Sequence, residues 1–386
     1  MKKRFYEFLA VLGVVLVVCG YVAKDNHQAE GSVFFSSQEG TLYALDVRNG
    51  KPKWQNKLSR APIDAAPIVA DGLVIQGVSS ESALCAVDAS TGVIRWKYQL
   101  RAGPVFSPRI SNKTVFVLTD NKAPWDLTRP NFTTLHAIDL GTGQLKWVFR
   151  AGEQAAGTLA AGNTSENCPI VHEGIIYFGG NDGTFYALDS QNGDVKWKYK
   201  SGFSFHSSPV WVKGYVYAGD DYGNLLALDA MTGALIWKTH DAFSIHTNIV
   251  TDNNCLFVPY DGPSALIAYS CEDGRKRWSF TPTSFIVTAP SLVNGFIYLN
   301  SIDGRLYAID SQKGTVVWTK SVYMPNTTPT VADGTLYVGS GSKLCAFTAD
   351  SGKEKWVFAA AGSVMKSACV QTQSGSVYRG LGGIQP

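Results

Sequence analysis

The sequence predicts an all-β fold, an eight-bladed β-propeller of four-stranded antiparallel blades, and three observations carry that prediction. Relatives of the segment Gly183–Trp197, GTFYALDSQNGDVKW, occur eight times between Gly40 and Trp356. Each copy places a tryptophan four residues after a glycine, on the far side of a short turn. Glycine is abundant (38 residues) and aromatic residues make up 12% of the chain, a composition suited to many short strands joined by tight turns.

The turn and its tryptophan appear in order as Asp46–Gly50 with Trp54, Asp88–Gly92 with Trp96, Asp139–Gly143 with Trp147, and Asp189–Gly193 with Trp197. They continue as Asp229–Gly233 with Trp237, Ser270–Gly274 with Trp278, Asp310–Gly314 with Trp318, and Thr348–Gly352 with Trp356. A strand such as Thr184–Leu188 precedes each turn and always contains an alanine, from Ala44 to Ala346, whose small side chain lets a neighbouring sheet approach closely. Ahead of it stands another strand, as in Val216–Ala218 or Ile297–Leu299. Ahead of that comes a short Ser/Thr/Pro-containing strand, as in Ser208–Val212 or Ala289–Val293. Four strands at a period near 40 residues make one blade, with strands A to D running outward from the axis. The eight tryptophans are expected to pack between blades, each burying roughly 150–250 Å², and the turn aspartates to accept backbone N–H bonds.

The chain ends supply the closure. Val33–Ser36 is a strand B with no strand A before it, and Lys366–Gln371 is a strand A left over after the last tryptophan. Pairing the two closes the ring and removes an open sheet edge. Val377–Arg379 duplicates strand B, and the sequence leaves open which copy is used.

Residues 1–23 read as an export signal or N-terminal membrane anchor. Lys2, Lys3 and Arg4 precede an uncharged run from Phe8 to Val18. Leu16–Cys19 is similar to a lipobox, with Val18 where a small residue is usual. Lipidation of Cys19, cleavage after Gly20 and an uncleaved anchor are the alternatives. Residues 24–31 form a short polar tether and 32–386 the propeller, which is expected to be extracytoplasmic and membrane-anchored. A net charge of +3 on 386 residues, with no basic run outside the first four, excludes nucleic acid as a partner. A monomeric propeller is expected. Of seven cysteines, Cys255 and Cys271 flank the turn at Asp261 and are disulfide candidates, which a one-residue register change would exclude. Cys85 and Cys345 take the place of Tyr186 and read as buried thiols.

The repeats GTFYALDSQNGDVKW and GRLYAIDSQKGTVVW resemble the pyrroloquinoline-quinone (PQQ) repeat family, and the resemblance covers nearly all of residues 33–380. That family includes long quinoprotein dehydrogenases, which hold PQQ with Ca²⁺ through a vicinal Cys-Cys, acidic and Asn ligands, and a catalytic Asp. It also includes lipoprotein scaffolds of outer-membrane protein assembly, similar to this chain in size and blade number. No Cys-Cys pair occurs here. The resemblance therefore implies a membrane-tethered, non-catalytic scaffold for protein partners in the cell envelope, without cofactor. The alternative is a PQQ-dependent oxidoreductase of alcohols or sugars, with PQQ and Ca²⁺ at the channel mouth near His206 and His246.

Function is sought where the repeats deviate. The Trp-to-Trp intervals run 42, 51, 50, 40, 41, 40 and 38 residues, so two units carry extra chain. Asn121–Phe132 lies between strands B and C of blade 3, and Gly152–Asn167 precedes strand A of blade 4. Both emerge on the face formed by B–C and D–A loops, where binding residues concentrate. Trp125 with Arg129 forms an anchor-type pair for a protein partner; the other reading folds Trp125 back over the blade edge. His206 and His246, each nine residues after a repeat tryptophan, line the channel mouth on that same face. Two histidines fall short of the usual three or four metal ligands, so no metal is expected. Glu39, Asp182, Asp221, Asp261 and Asp303 recur in B–C turns, with Asp220 beside them; turn chemistry accounts for them, and attraction of a cation or basic partner is the alternative.

Overall fold

A computed structural model describes residues 31–379 except 64, 101–104, 122–130, 155–167, 242, 262–263, 287, 326 and 365, together with a short strand at Ile384–Gln385. It forms eight antiparallel sheets in a ring. Blade 5 is representative: Val210–Val212, Tyr215–Gly219, Asn224–Asp229 and Leu235–His240 are strands A to D. Strands A are three residues or fewer because the backbone before them bonds sideways to the next blade rather than along its own sheet. Ala66 N–H donates to Ser107 Oγ, Cys168 N–H to Ser208 Oγ, and Ser208 N–H to Asn248 Oδ1, at 2.7–3.1 Å. Among the described residues no helix is long and apolar enough to cross a membrane.

The recurring glycine and tryptophan act on different blades. The indole of Trp197, on strand D of blade 4, packs over Gly233 in the C–D turn of blade 5, and the same contact runs round the ring to Trp356 over Gly50. All eight of these glycines have φ between +65° and +78°, and a Cβ at any of them would lie within 3.0 Å of the facing indole. Glycine is thus required twice, by backbone conformation and by close approach. The recurring alanine lies opposite the tryptophan of its own blade, as in Ala187 and Trp197. The turn aspartate accepts N–H bonds from the residues that follow it, as Asp229 does from Met231 and Thr232.

Seven of the eight indole N–H groups donate to a carbonyl of the next blade, at 2.9–3.2 Å. The exception is Trp147, whose buried Nε1 has no partner, at the seam between blades 3 and 4.

Closure is as the sequence predicts: Cys369–Gln371 pairs with Ser32–Ser36, Ser32 facing Gln371. The copy left undecided now has a place. Ser32–Ser36 is strand B of blade 1, while Val377–Arg379 pairs on the axial side of Cys369–Gln371, with Ile384–Gln385 beyond it. The sheet of blade 1 therefore has six strands, and Val377–Arg379 stands against strands A of blades 2 and 8. Buried Arg379 donates to the carbonyls of Pro108 (2.7 Å) and Ala66 (2.9 Å).

The expected disulfide between Cys255 and Cys271 is not formed. Cys255 faces Ser270 across strands B and C of blade 6, so Cys271 is one residue out of register, and both thiols are free. Cys85 and Cys345 are buried free thiols.

Candidate functional site

The two insertions have a shared root. Strands C and D of blade 3 run Asn131–Asp139 and Leu145–Gln154, longer than the six residues usual elsewhere, so the ends of both expected insertions are strand. Asn131 pairs with Gln154, which brings the two loops to one place on the rim. Asn121 closes the first loop: its Oδ1 accepts from Phe132 N–H at 2.9 Å, and the Arg150 guanidinium lies 3.6 Å over the Phe132 ring. Trp125, Arg129 and Cys19 lie outside the described residues.

Around the same face, blades 5 to 8 expose a row of apolar side chains. Phe203, Phe243, Phe285 and Tyr323 stand on D–A loops, and Tyr222 and Ile302 on B–C turns, with exposures of 38–72%. Phe203 stacks on Tyr222 with centroids 4.4 Å apart. Single exposed apolar residues are ordinary, whereas several large ones on the same face of a ring offer apolar area that a partner could cover. The aromatic residue of each D–A loop was available in the sequence, but its exposure depends on a loop too short to fold over it.

Further in, at the channel mouth, lies a cluster of histidines and aspartates from blades 5 and 6. Backbone bonds set it up: Asp221 N–H donates to Ser204 carbonyl at 2.9 Å, and Ser244 Oγ donates to Asp221 carbonyl at 2.7 Å. These fasten the B–C turn of blade 5 to the D–A loops on either side. His206 Nδ1 consequently sits 2.8 and 2.9 Å from the two Asp221 oxygens, and His246 Nε2 is 3.3 Å from Asp221 Oδ1. His246 Nδ1 forms a very short bond to Asp261 Oδ2. The imidazole centroids are 6.0 Å apart.

Burial acts to lower the pKa of His246, but its hydrogen bonds to Asp221 and Asp261 outweigh burial and raise it to about 9. Burial likewise works against the Asp221 carboxylate, and the two imidazoles win, holding it below its usual range. Asp120, fully buried and bonded to Asn181 Nδ2 and Thr133 Oγ1, is raised by burial, with the His206 charge pulling the other way. The remaining acidic turn residues have local tasks. Asp182 accepts from Tyr186 OH and Thr184 N–H, Asp220 from Asn224 and Tyr222 N–H, and Asp303 from Thr283. Only Asp221 and Asp261 of the recurring set meet the histidines. The sequence carries a signal for this: each histidine precedes its aspartate by 15 residues, in two successive repeats.

The fit of PQQ with Ca²⁺ near His206 and His246 is poor. Both Nδ1 atoms are engaged by carboxylates, and imidazole nitrogens are poor donors for an oxygen-seeking Ca²⁺. No vicinal cysteines are present.

The fold and its loop-bearing face define an eight-bladed propeller of PQQ-type repeats. The sequence profile of the family described as "Outer membrane protein assembly factor BamB" matches residues 25–123, 107–254 and 240–363, and the chain belongs to that family. BamB of Yersinia pestis is 26% identical over 318 residues, 82% of this chain and 67% of that protein. A polyvinylalcohol dehydrogenase of Pseudomonas sp is 23% identical over 81% of this chain and only 58% of that protein. The crystal structure of BamB from Moraxella catarrhalis shares the fold, with a TM-score of 0.65 and 21% identity, covering 80% of this chain and 88% of that one.

Proposed function

We propose that this chain is an extracytoplasmic, non-catalytic scaffold in outer-membrane protein assembly, tethered through its N-terminal segment and gripping a protein partner with its loop-bearing face. Membership of the BamB family and similarity to BamB of Yersinia pestis support the biological setting. The observation that carries the binding role is the row of exposed apolar residues, Phe203 to Tyr323, lying on the face from which both insertions rise. Rigid aromatic groups on fixed loops lose little entropy when they dock, and they are the usual anchors of protein interfaces. In this reading Trp125 and Arg129 add a second anchor beside the row.

The test is capture of envelope proteins by wild-type chain and by two variants, Phe285→Asp with Tyr323→Asp, and Trp125→Ala with Arg129→Ala. Loss of the same partner from both variants, at unchanged melting temperature, is the expected result. An unchanged partner set would remove the loop-bearing face from consideration. The oxidoreductase alternative is checked by adding PQQ and Ca²⁺: stoichiometric binding with a shifted quinone absorbance and dye reduction on alcohols or sugars would replace the scaffold reading.

A further inference from the structure

We propose that His206, Asp221 and His246 form a binding site for a divalent transition-metal ion of the Zn²⁺ class, oriented from behind by Asp261 and linking blades 5 and 6. One ligand atom from each of the three residues lies within 4.8 Å of the others. A tetrahedral ion with bonds of about 2.0–2.1 Å needs ligand atoms about 3.3–3.4 Å apart; His246 Nε2 and Asp221 Oδ1 already stand 3.3 Å apart, while His206 Nδ1, 2.8 Å from Asp221 Oδ1, has to swing outward by side-chain rotation to admit the ion. Two of the three donors are imidazole nitrogens, which favours Zn²⁺ and its neighbours over the oxygen-seeking Ca²⁺ and Mg²⁺.

The supporting shell has the form such sites use. Asp261 holds His246 through Nδ1, which leaves Nε2 directed at Asp221. A carboxylate behind a ligating histidine fixes both its tautomer and its direction. Asp221 is itself positioned by backbone and hydroxyl bonds to Ser204 and Ser244, on the loops that carry the two histidines. Charge also balances, since two neutral imidazoles with Asp221 and Asp261 offset a 2+ ion. Without the ion, a single Asp221 carboxylate faces both imidazoles. His206 is buried at 3% exposure, while the side chains of Asp221 and His246 are about one-fifth exposed, so the site opens to the channel mouth. Three protein ligands leave one position for water or for a donor from a docked partner.

The inference does not depend on the scaffold reading, and its test measures metal rather than capture. Metal-stripped full-length chain in a Cys255→Ser background, which removes the half-buried thiol of blade 6, is titrated with Zn²⁺ by calorimetry and with Co²⁺ by visible absorption. We expect one equivalent bound, with Co²⁺ giving the intense d–d bands of a four-coordinate site. His206→Ala with His246→Ala should weaken binding at least 100-fold, and Asp261→Asn by about 10–100-fold. His240→Ala, outside the cluster, should leave it unchanged. His246→Gln, which keeps an amide donor for Asp261, guards against a fold defect and should also weaken binding. Absence of stoichiometric uptake by wild type, or undiminished uptake by the double variant, would overturn the site.

Discussion

The seam between blades 3 and 4 and the seam between blades 5 and 6 use the same folding unit and depart from it in opposite ways. Blades 3 and 4 depart in length: two insertions rise from one root, and the Trp147 indole N–H, alone among the eight, has no carbonyl partner. Blades 5 and 6 keep the regular spacing and depart in chemistry, with two histidines and two aspartates joined across the seam. A histidine at the seam between blades 2 and 3, His136 packed beside Tyr98, behaves oppositely to His246. Burial beside blade 3 pushes His136 down to about 4, whereas carboxylate partners hold His246 at about 9. A repeat protein can acquire a site by lengthening a loop or by changing residues inside an unaltered loop, and only the first shows in repeat length.

The largest expected effect tests what the two seams share. Trp237→Ala should lower unfolding free energy by about 3–5 kcal/mol in denaturant titration, through lost packing over Gly274 and a cavity between blades. A loss below about 1 kcal/mol would mean the tryptophans are not the common fastener. Next come the titrations. In the metal-free chain the folded pKa of His246 is raised, so its contribution is complete below about 6.5 and is lost as pH rises toward 9. The folded pKa of His136 is depressed, so stability falls as pH drops from about 6.5 to 4. Each window should span roughly 3 kcal/mol. His246→Gln should flatten the alkaline side alone, and His136→Phe the acid side alone; a variant that changed both would break the contrast.

A finer comparison uses phenylalanine. Trp237→Phe removes the bond to Cys271 carbonyl as well as ring volume, whereas Trp147→Phe removes ring volume only. The two costs should differ by about 1 kcal/mol, with the Trp237 variant losing more. Equal costs would show that the Trp147 N–H finds a partner in solution. The smallest effect on stability belongs to Trp125→Ala with Arg129→Ala, expected to stay within about 0.5 kcal/mol of wild type. A larger loss would make that pair part of the blade edge.

The fold was legible because its determinants are local and repeated: a glycine with positive φ, an aspartate at the turn and a tryptophan four residues on. What they touch was less so, since Trp197 serves Gly233 of the next blade rather than its own Gly193. His206 and His246 stood out by their parallel contexts. Their pairing with Asp221 and Asp261 did not, because a D–A loop and a B–C turn meet only once the ring is built. The Cys255–Cys271 expectation failed by one residue of register, the error to which strand pairing is most sensitive. The role of Val377–Arg379 was hidden because its pattern copies an ordinary strand B while its partners, Ala66 and Pro108, lie some 270 residues or more away in sequence.

Ring closure also has a consequence in time. Ser32 meets Gln371, and the Trp356 indole reaches the Val47 carbonyl across 309 positions, so the first and last blades complete each other. The entropic cost of closing so long a loop grows only slowly with its length, but the waiting period does not shrink. As the chain is made or threaded from its N-terminus, the Ser32–Ser36 edge stays unpaired until Cys369–Gln371 arrives, and an unpaired edge is adhesive. Delay or truncation near residue 369 should therefore appear as aggregation seeded by the first strand.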